Sequence, residues 1–422
     1  MSQVFSDADI EEEQKHFSNV IATFQQYAQY TLAANNRRRK DIYTLPQGDK
    51  ELLDDLGYRR KLQEVDRAIL VNAEFLKLIV ANPEIFGHDL DSHEDADEDK
   101  AGSGAFHDHP HGDVHSHSHS HPHHRHSHSH DHANVSPDSR VVSKPHQGKY
   151  RPTDFDMDKL RSTLKQFVRD WSEEGKEERD TCYTPMKDAL VAHFSDKPSP
   201  ESRKNIRVLV PGAGLGRLAY DVANLGFACQ GNEFSHYMLL ASYLILNRTD
   251  AMGQYTIYPY VHSFSNLPNR EAMLRPVKIP DVLPSALPGG SNFSLVAGDF
   301  EEIYGAEYEE GDFEPQAGQW DAVLTCFFID TAKNVINYLR IIHRILAPGG
   351  VWINTGPLLW HFENNATNDP SVELDLEEVK MLAQKIGFVI SNERTIDTTY
   401  TSNSKSMLGY VYKTAFWTAT KA

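Results

Sequence analysis

Apolar residues follow different rules in different parts of this chain. From Glu11 to Ala33 they recur near every 3.6 residues, at Phe17, Val20, Ile21, Phe24, Tyr27, Ala28 and Leu32. They do so again from Lys61 to Val80, at Leu62, Val65, Ile69, Leu70, Ala73, Leu76 and Ile79. The spacing predicts two amphipathic helices, the second ending at Asn82-Pro83. From residue 88 to 148 the periodicity vanishes. It returns near Tyr150, with a helix predicted over Met157–Trp171 (Leu160, Leu164, Phe167, Val168) and another leading from Cys182-Tyr-Thr-Pro-Met186 to Phe194.

Beyond a linker at Pro198–Lys204, short apolar runs alternate with helical patterns. Strands are expected at 206–210, 228–232, 293–297, 321–327, 350–355, 387–393 and 409–418, and helices at 216–225, 235–247, 331–346 and 374–386. That alternation predicts an α/β fold, a Rossmann-like, mostly parallel sheet with helices on both faces and a helical extension before it. Tyr255 to Asn292, rich in Pro and poor in periodicity, reads as an insertion able to line a pocket. The expected organisation is a helical region at 1–87, an acidic and His-rich insert at 88–149, a helical segment closing over a cofactor at 150–204, and the sheet domain at 205–422.

Composition narrows the options. The formal net charge of −18 argues against a nucleic-acid partner, because phosphate binding needs concentrated Lys and Arg. The compact basic run Asn35-Asn-Arg-Arg-Arg-Lys40 reads as a solvated helix end or a nuclear address. Three widely spaced cysteines, Cys182, Cys229 and Cys326, fit a reducing compartment. No apolar run is long enough to span a membrane, and the N-terminus lacks a charged-then-apolar signal, so the expectation is a soluble cytosolic protein with no membrane partner. Thirteen of the 22 histidines fall within His107–His132. That run cannot bury a core and is expected to be disordered, with adventitious binding of Zn, Ni or Cu as its only implied chemistry and no ordered metal site.

The densest chemical signal follows the strand Ile206–Val210. A turn carries Gly212, Gly214 and Gly216, an amphipathic helix follows, and a second strand ends at Glu233. Glycines let the backbone approach a ligand, the helix N-terminus favours negative charge, and an acid about 20 residues on suits the two hydroxyls of a ribose. The Gly-x-Gly-x-Gly spacing leans toward S-adenosyl-L-methionine rather than a nicotinamide dinucleotide. Asp299 in Gly298-Asp-Phe300 is placed to accept from an adenine amino group beside an aromatic wall, and it also reads as a helix cap. With Trp320 to Asp330 and Leu346-Ala-Pro-Gly-Gly350, these features resemble the class I S-adenosylmethionine methyltransferase core, whose last strands form a reversed antiparallel hairpin.

A closer likeness lies in Val210-Pro-Gly-Ala-Gly-Leu-Gly-Arg-Leu-Ala219, Cys229-Gln-Gly-Asn-Glu-Phe-Ser235, Ser291-Asn-Phe-Ser294, Ala297-Gly-Asp-Phe300, Thr325-Cys-Phe-Phe-Ile-Asp-Thr-Ala332 and Gly356-Pro-Leu-Leu-Trp-His-Phe-Glu-Asn364. These resemble the carnosine N-methyltransferase family over about residues 150–420, and less distinctly over the N-terminal helices. The His-rich insert is outside the pattern. The resemblance implies methylation of an imidazole nitrogen of carnosine, giving anserine. It implies cofactor contacts at Gln166, Arg169 (to a carboxylate), Gly212, Glu233, Asp299, Phe300 and Cys326. It further implies binding of a small dipeptide substrate by Asp330, His361, Tyr400 and Tyr412. Read from the residues alone, Arg169 is also a surface charge, His361 a core or loop histidine, and the tyrosines hairpin packing.

Methyl transfer from a sulfonium is an in-line displacement governed by alignment. An imidazole with a pKa near 6.5 is already nucleophilic at neutral pH, so selecting a nitrogen matters more than a strong base. Asp330, beyond the fourth sheet strand, is the candidate to accept one ring N–H; it also reads as the cap of a helix at Thr331, and the two roles are compatible. His361 would orient the ring. Two other readings stay open: a protein-histidine or other peptide N-methyltransferase, and a non-catalytic metal-binding role through the insert. The N-terminal helices are available as a lid or as a homodimer interface.

Overall fold

The computed structural model describes residues 7–82, 150–305, 316–365 and 370–421. The His-rich run, and with it the expected metal binding, lies outside those residues. Three helices open the chain: α1 (Asp7–Thr44), α2 (Gln47–Asp55) and α3 (Tyr58–Ile79). After residue 150 come α4 (Asp154–Trp171), α5 (Lys176–His193) and α6 (Pro200–Arg203). The sheet domain then runs β1 (Arg207–Pro211), α7 (Arg217–Asn224), β2 (Ala228–Glu233), α8 (His236–Asn247), β3 (Tyr255–Ile257), α9 (Glu271–Leu274), β4 (Val277–Ile279), β5 (Phe293–Ala297), α10 (Phe300–Gly305) and β6 (Trp320–Cys326). It closes with α11 (Val335–Ile345), β7 (Leu346–Gly356), α12 (Leu376–Ile386), β8 (Phe388–Thr398) and β9 (Tyr412–Lys421).

Seven strands form one sheet in the order β5-β2-β1-β6-β7-β9-β8. The first five are mutually parallel, while β9 runs antiparallel to both β7 and β8. This is the reversed hairpin expected of a class I methyltransferase. Continuous apolar strands follow from burial on both faces. Val208 and Val210 pack with α5 and α7, whereas Leu209 packs with α10 and α11. Trp352 likewise opposes Val351 and Ile353. Strands are added on one side of β1 (β2, β5) and then on the other (β6, β7), so the order switches between the parallel β1 and β6 and the ligand crevice lies beyond their carboxyl ends.

The N-terminal helices share one core with the sheet domain. Phe17, Phe24 and Leu76 pack with Leu164 of α4, Leu244 of α8 and Ile279 of β4. Asn72, fully buried, donates to the Tyr258 carbonyl at 2.9 Å and accepts the Tyr258 amide at 2.7 Å, fastening α3 to the insertion. The predicted elements are present with shifted ends. α1 continues past Ala33 because its polar C-terminal turns still rest on α3, where Arg39 pairs with Asp66. The insertion holds a small antiparallel pair, β3 with β4. The helix expected from Thr331 starts at Val335 instead, where the Asn334 side chain accepts the Ile336 amide at 3.1 Å, and Asp330 lies in a separate 3₁₀ turn. Asp330 is therefore no helix cap. Among the described residues no helix is long and apolar enough to cross a membrane.

Candidate active site

The loop after β1 is shaped by glycine. Gly212, Gly214 and Gly216 have φ of 63°, 56° and 81°, a region costly for residues with a Cβ. A Cβ on Gly212 would also fall 2.6 Å from the Phe328 ring. Glu233, at the tip of β2, reaches under this loop. Its Oε2 accepts the Gly214 amide at 2.8 Å, and its Oε1 accepts the amides of Phe234 (2.9 Å) and Ser235 (2.8 Å). Burial pushes the Glu233 carboxyl up, and these three amides oppose the shift by stabilising the anion.

Helix α4 roofs the loop. A Thr153 capping box starts it, and its apolar stripe buries Leu160, Leu164 and Phe167. Its end is tied down by the Trp171 indole N–H on the Leu215 carbonyl at 3.0 Å and by Arg217 on the Asp170 carbonyl at 2.7 Å. Gln166 and Asp170 thus hang over Gly214: a Cβ there would stand 3.6 Å from Gln166 Nε2 and 3.7 Å from Asp170 Oδ2. The two side chains are themselves bonded at 3.0 Å.

Arg169, 3% exposed, extends sideways from the same turn. Its Nη1 donates to Tyr183 Oη at 2.6 Å and Asp170 Oδ1 at 3.2 Å, and its Nε lies 3.2 Å from Glu178 Oε1. Nη2 is buried with no hydrogen-bond partner. A buried guanidinium donor left open is costly and matches an incoming carboxylate. Asp170, 1% exposed and adjacent, is the complementary acceptor for an ammonium. Together they can receive an α-amino acid end.

Beyond β5, Asp299 Oδ1 accepts the amides of Glu301 (2.7 Å) and Glu302 (3.2 Å), so the capping role is real. The Phe300 ring is 3% exposed and packs against Phe328, Tyr304 and Tyr338. It is core rather than an open aromatic wall. Cys326 ends β6, its thiol pushed up to about 12 by burial and by neighbouring Cys182, against the pull of Arg169. A thiol raised that far stays protonated at neutral pH and is a poor nucleophile.

The next residue, Phe327, has φ of 54° and donates its amide to the Thr355 carbonyl at 2.8 Å. Its ring lies 4.7 Å from that of Tyr400 and 5.8 Å from that of Tyr412. Tyr400 also covers the Arg169 guanidinium at 4.8 Å. Asp330, 2% exposed, accepts the Leu359 amide on Oδ2 at 2.9 Å, and its carbonyl accepts the His361 amide at 2.9 Å. Burial pushes its carboxyl up to about 6, opposed by the Leu359 amide and its own. The loop after β7 is thereby held to the turn after β6, with His361 beside Asp330 in the backbone network.

A family model described as carnosine N-methyltransferase matches residues 146–422. The chain belongs to this family. A carnosine N-methyltransferase from Mus musculus is 50% identical over 276 residues, 65% of this chain and 66% of the mouse protein, so the match spans about two thirds of that relative. Those from Schizosaccharomyces pombe (38% identity, 96% of both chains) and Dictyostelium discoideum (36%, 96% of this chain and 76% of the relative) extend through the N-terminal helices. Solved structures are more distant. A putative sarcosine dimethylglycine methyltransferase from Galdieria sulphuraria shares 13% identity with a TM-score of 0.31, covering 50% of this chain and 62% of its own. At that distance it carries no argument, and the class I assignment rests on the strand order. Membership in the family makes the chain an S-adenosylmethionine-dependent methyltransferase.

Sequence reasoning missed Asp170, Tyr183, Glu178 and Phe327. Asp170 sits one residue from Arg169 in a helix, where an Arg-Asp pair reads as solvent face. The positive φ of Phe327 left no trace in composition.

Proposed function

We propose that this enzyme transfers a methyl group from S-adenosylmethionine to an imidazole nitrogen of carnosine or a related histidine dipeptide. The observation carrying this reading is the unpartnered Arg169 Nη2 beside Asp170 above the glycine loop. The donor supplies an electrophilic methyl on a sulfonium. Arg169 takes its carboxylate and Asp170 its ammonium, with Gln166 holding Asp170 in place. Glu233 holds the ribose hydroxyls, Gly212 and Gly214 allow backbone approach, and Asp299 with the Phe300 main chain meets the adenine. Cys326 lines the methionine end.

On the acceptor side, Asp330 Oδ2 takes the Leu359 amide, and the carboxylate has further lone pairs with which to accept one imidazole N–H. The other ring nitrogen then presents its lone pair to the methyl. A buried carboxylate also makes the ring more electron-rich. His361 orients the ring, and Tyr400 and Tyr412 bind the peptide end. The three free cysteines suit a cytosolic setting. The experiment is a competition: purified enzyme, donor, and equal carnosine, homocarnosine and a histidine-containing peptide, read by mass spectrometry. Methylated dipeptide should dominate. Preferential methylation of the longer peptide would overturn the acceptor assignment.

A further inference from the structure

Helix α4, which carries Gln166, Arg169 and Asp170, ends abruptly: Ser172 turns straight into extended backbone, with φ of −130°. The last four carbonyls of a helix lack partners within it and must find them elsewhere. Here each one does. The Val168 carbonyl accepts the Ser172 hydroxyl at 2.6 Å, and the Arg169 carbonyl accepts Arg179 Nη1 at 2.7 Å. The Asp170 carbonyl accepts Arg217 Nη1 at 2.7 Å, and the Trp171 carbonyl accepts the Asp281 amide at 3.0 Å. Arg179 Nη1 donates to the Ser172 carbonyl as well, at 2.7 Å.

Two guanidiniums against the C-terminus of α4 suit its dipole. Arg217 nevertheless opens α7, where that helix's own dipole disfavours a cation. One carboxylate answers both arginines. Asp281 Oδ2 accepts Arg179 Nη2, and its Oδ1 accepts Arg217 Nη1 at 2.6 Å. Arg217 Nε turns to Asp221 at 2.9 Å. The side chains of Arg179, Arg217 and Asp281 are 3%, 8% and 6% exposed, so protein rather than water must compensate their charge. Asp281 follows β4 in the insertion and joins that segment to α4, α5 and α7 at once.

We propose that Asp281 is a positioning residue for methyl-donor binding. Through Arg179, Arg217 and its own amide it fixes the carbonyls of Arg169, Asp170 and Trp171. It thereby sets the aim of the two side chains assigned to the donor's carboxylate and ammonium, and the inference rests on that assignment. Small displacements of such a receptor are costly, because binding and alignment depend on fixed geometry. The insertion's other buried arginine, Arg275, pairs with Glu174 at 2.5 Å and donates to Asn403 Oδ1 at 2.7 Å, toward the segment carrying Tyr400. Asp281 alone in the insertion supplies a carboxylate to the two arginines that cap α4.

The test is calorimetric titration of the full chain with S-adenosylhomocysteine, with steady-state kinetics on carnosine alongside. Asp281→Asn keeps the side chain's size and the backbone amide but removes the charge. It should weaken S-adenosylhomocysteine roughly tenfold or more and raise KM for S-adenosylmethionine in step. At saturating donor, kcat and the KM for carnosine should stay within about twofold of the unsubstituted enzyme. Arg179→Lys keeps a cation without the planar fork that spans two carbonyls and a carboxylate, so it should weaken the donor in the same direction should Asp281→Asn fail to fold. Arg275→Gln is the control and should leave donor affinity within about twofold. A merely structural role would lower the folded fraction, and with it the apparent kcat, at unchanged donor affinity, and that result would overturn the proposal. Equal weakening in Arg275→Gln would overturn it too, by showing a general loosening of the insertion. Unchanged affinity in Arg169→Gln would instead sink the donor assignment itself, and the proposal with it.

Discussion

The Glu233 carboxylate accepts the Gly214 backbone N–H at 2.8 Å, joining the acid that ends β2 to the loop that follows β1. The same carboxylate holds the Phe234 and Ser235 amides, so it is preset before any ligand arrives. In Glu233→Gln one carboxylate oxygen becomes an NH₂ facing backbone donors. Losing charge-assisted hydrogen bonds worth about 1.5–3 kcal/mol should weaken S-adenosylhomocysteine binding roughly 10- to 100-fold. Calorimetric titration reads this directly, and unchanged affinity would remove Glu233 from the donor site.

Gly212 combines a positive φ with close approach to Phe328, whose ring is itself stacked 5.0 Å from Tyr338 and cannot move aside freely. Gly212→Ala should cost about 2–4 kcal/mol of stability, from backbone strain plus overpacking. Gly253 has nearly the same φ, 64°, but a Cβ there meets only the flexible Lys278 side chain at 3.6 Å. Gly253→Ala should therefore cost about 1 kcal/mol. Urea unfolding of both variants separates the two contributions, and equal losses would contradict the close-approach argument.

The sheet was legible because its physics is local. Val208-Leu-Val210 and Val351-Trp-Ile353 are apolar on both sides, as strands buried between two helical layers must be. The glycine loop and Glu233 were legible for the same reason, since turn conformation and strand tip are encoded within a few residues. The Asp170 and Glu178 roles were not. Their partners lie on other elements: Tyr183 on the next helix for Asp170, and Thr399, Thr401 and Ser402 from the far end of the chain for Glu178. A carboxylate on a helix looks the same whether it faces water or a loop more than 200 residues away. Asp299 and Phe300 were placed correctly in the chain, yet the burial of the Phe300 ring depends on Phe328 and Tyr338, which no local pattern links to it.

Glu178 gathers the segment carrying Tyr400. Its Oε1 takes the Thr401 amide at 2.7 Å, and its Oε2 takes Thr399 Oγ1 at 2.6 Å and the Ser402 amide at 3.3 Å. Glu178→Gln should free this segment, raising KM for carnosine about tenfold with little change in kcat. Steady-state kinetics with saturating donor checks it. A fall in kcat at constant KM would place Glu178 in the chemistry rather than in positioning Tyr400.

The proposed role of Asp330 as acceptor of the ring N–H gives a pH signature to look for. In that role its carboxyl, raised to about 6 by burial, must be ionised, so activity should be gained as pH rises through that value and lost below it. The acceptor imidazole, with an ordinary pKa near 6.5, must also be neutral. Below about pH 6, log kcat/KM should therefore climb with a slope approaching two. Asp330→Asn, lower in kcat/KM by on the order of 100-fold, should show a slope of one from the substrate alone. A slope of two in the variant would assign the second ionisation elsewhere.

The most direct test is to incubate the purified enzyme with carnosine and S-adenosylmethionine bearing an isotopically labelled methyl, and to locate the label in the product by NMR. The account predicts a single labelled methyl on an imidazole nitrogen. Label on the amino group or carboxylate of the dipeptide, or no transfer by protein that binds the donor, would contradict it.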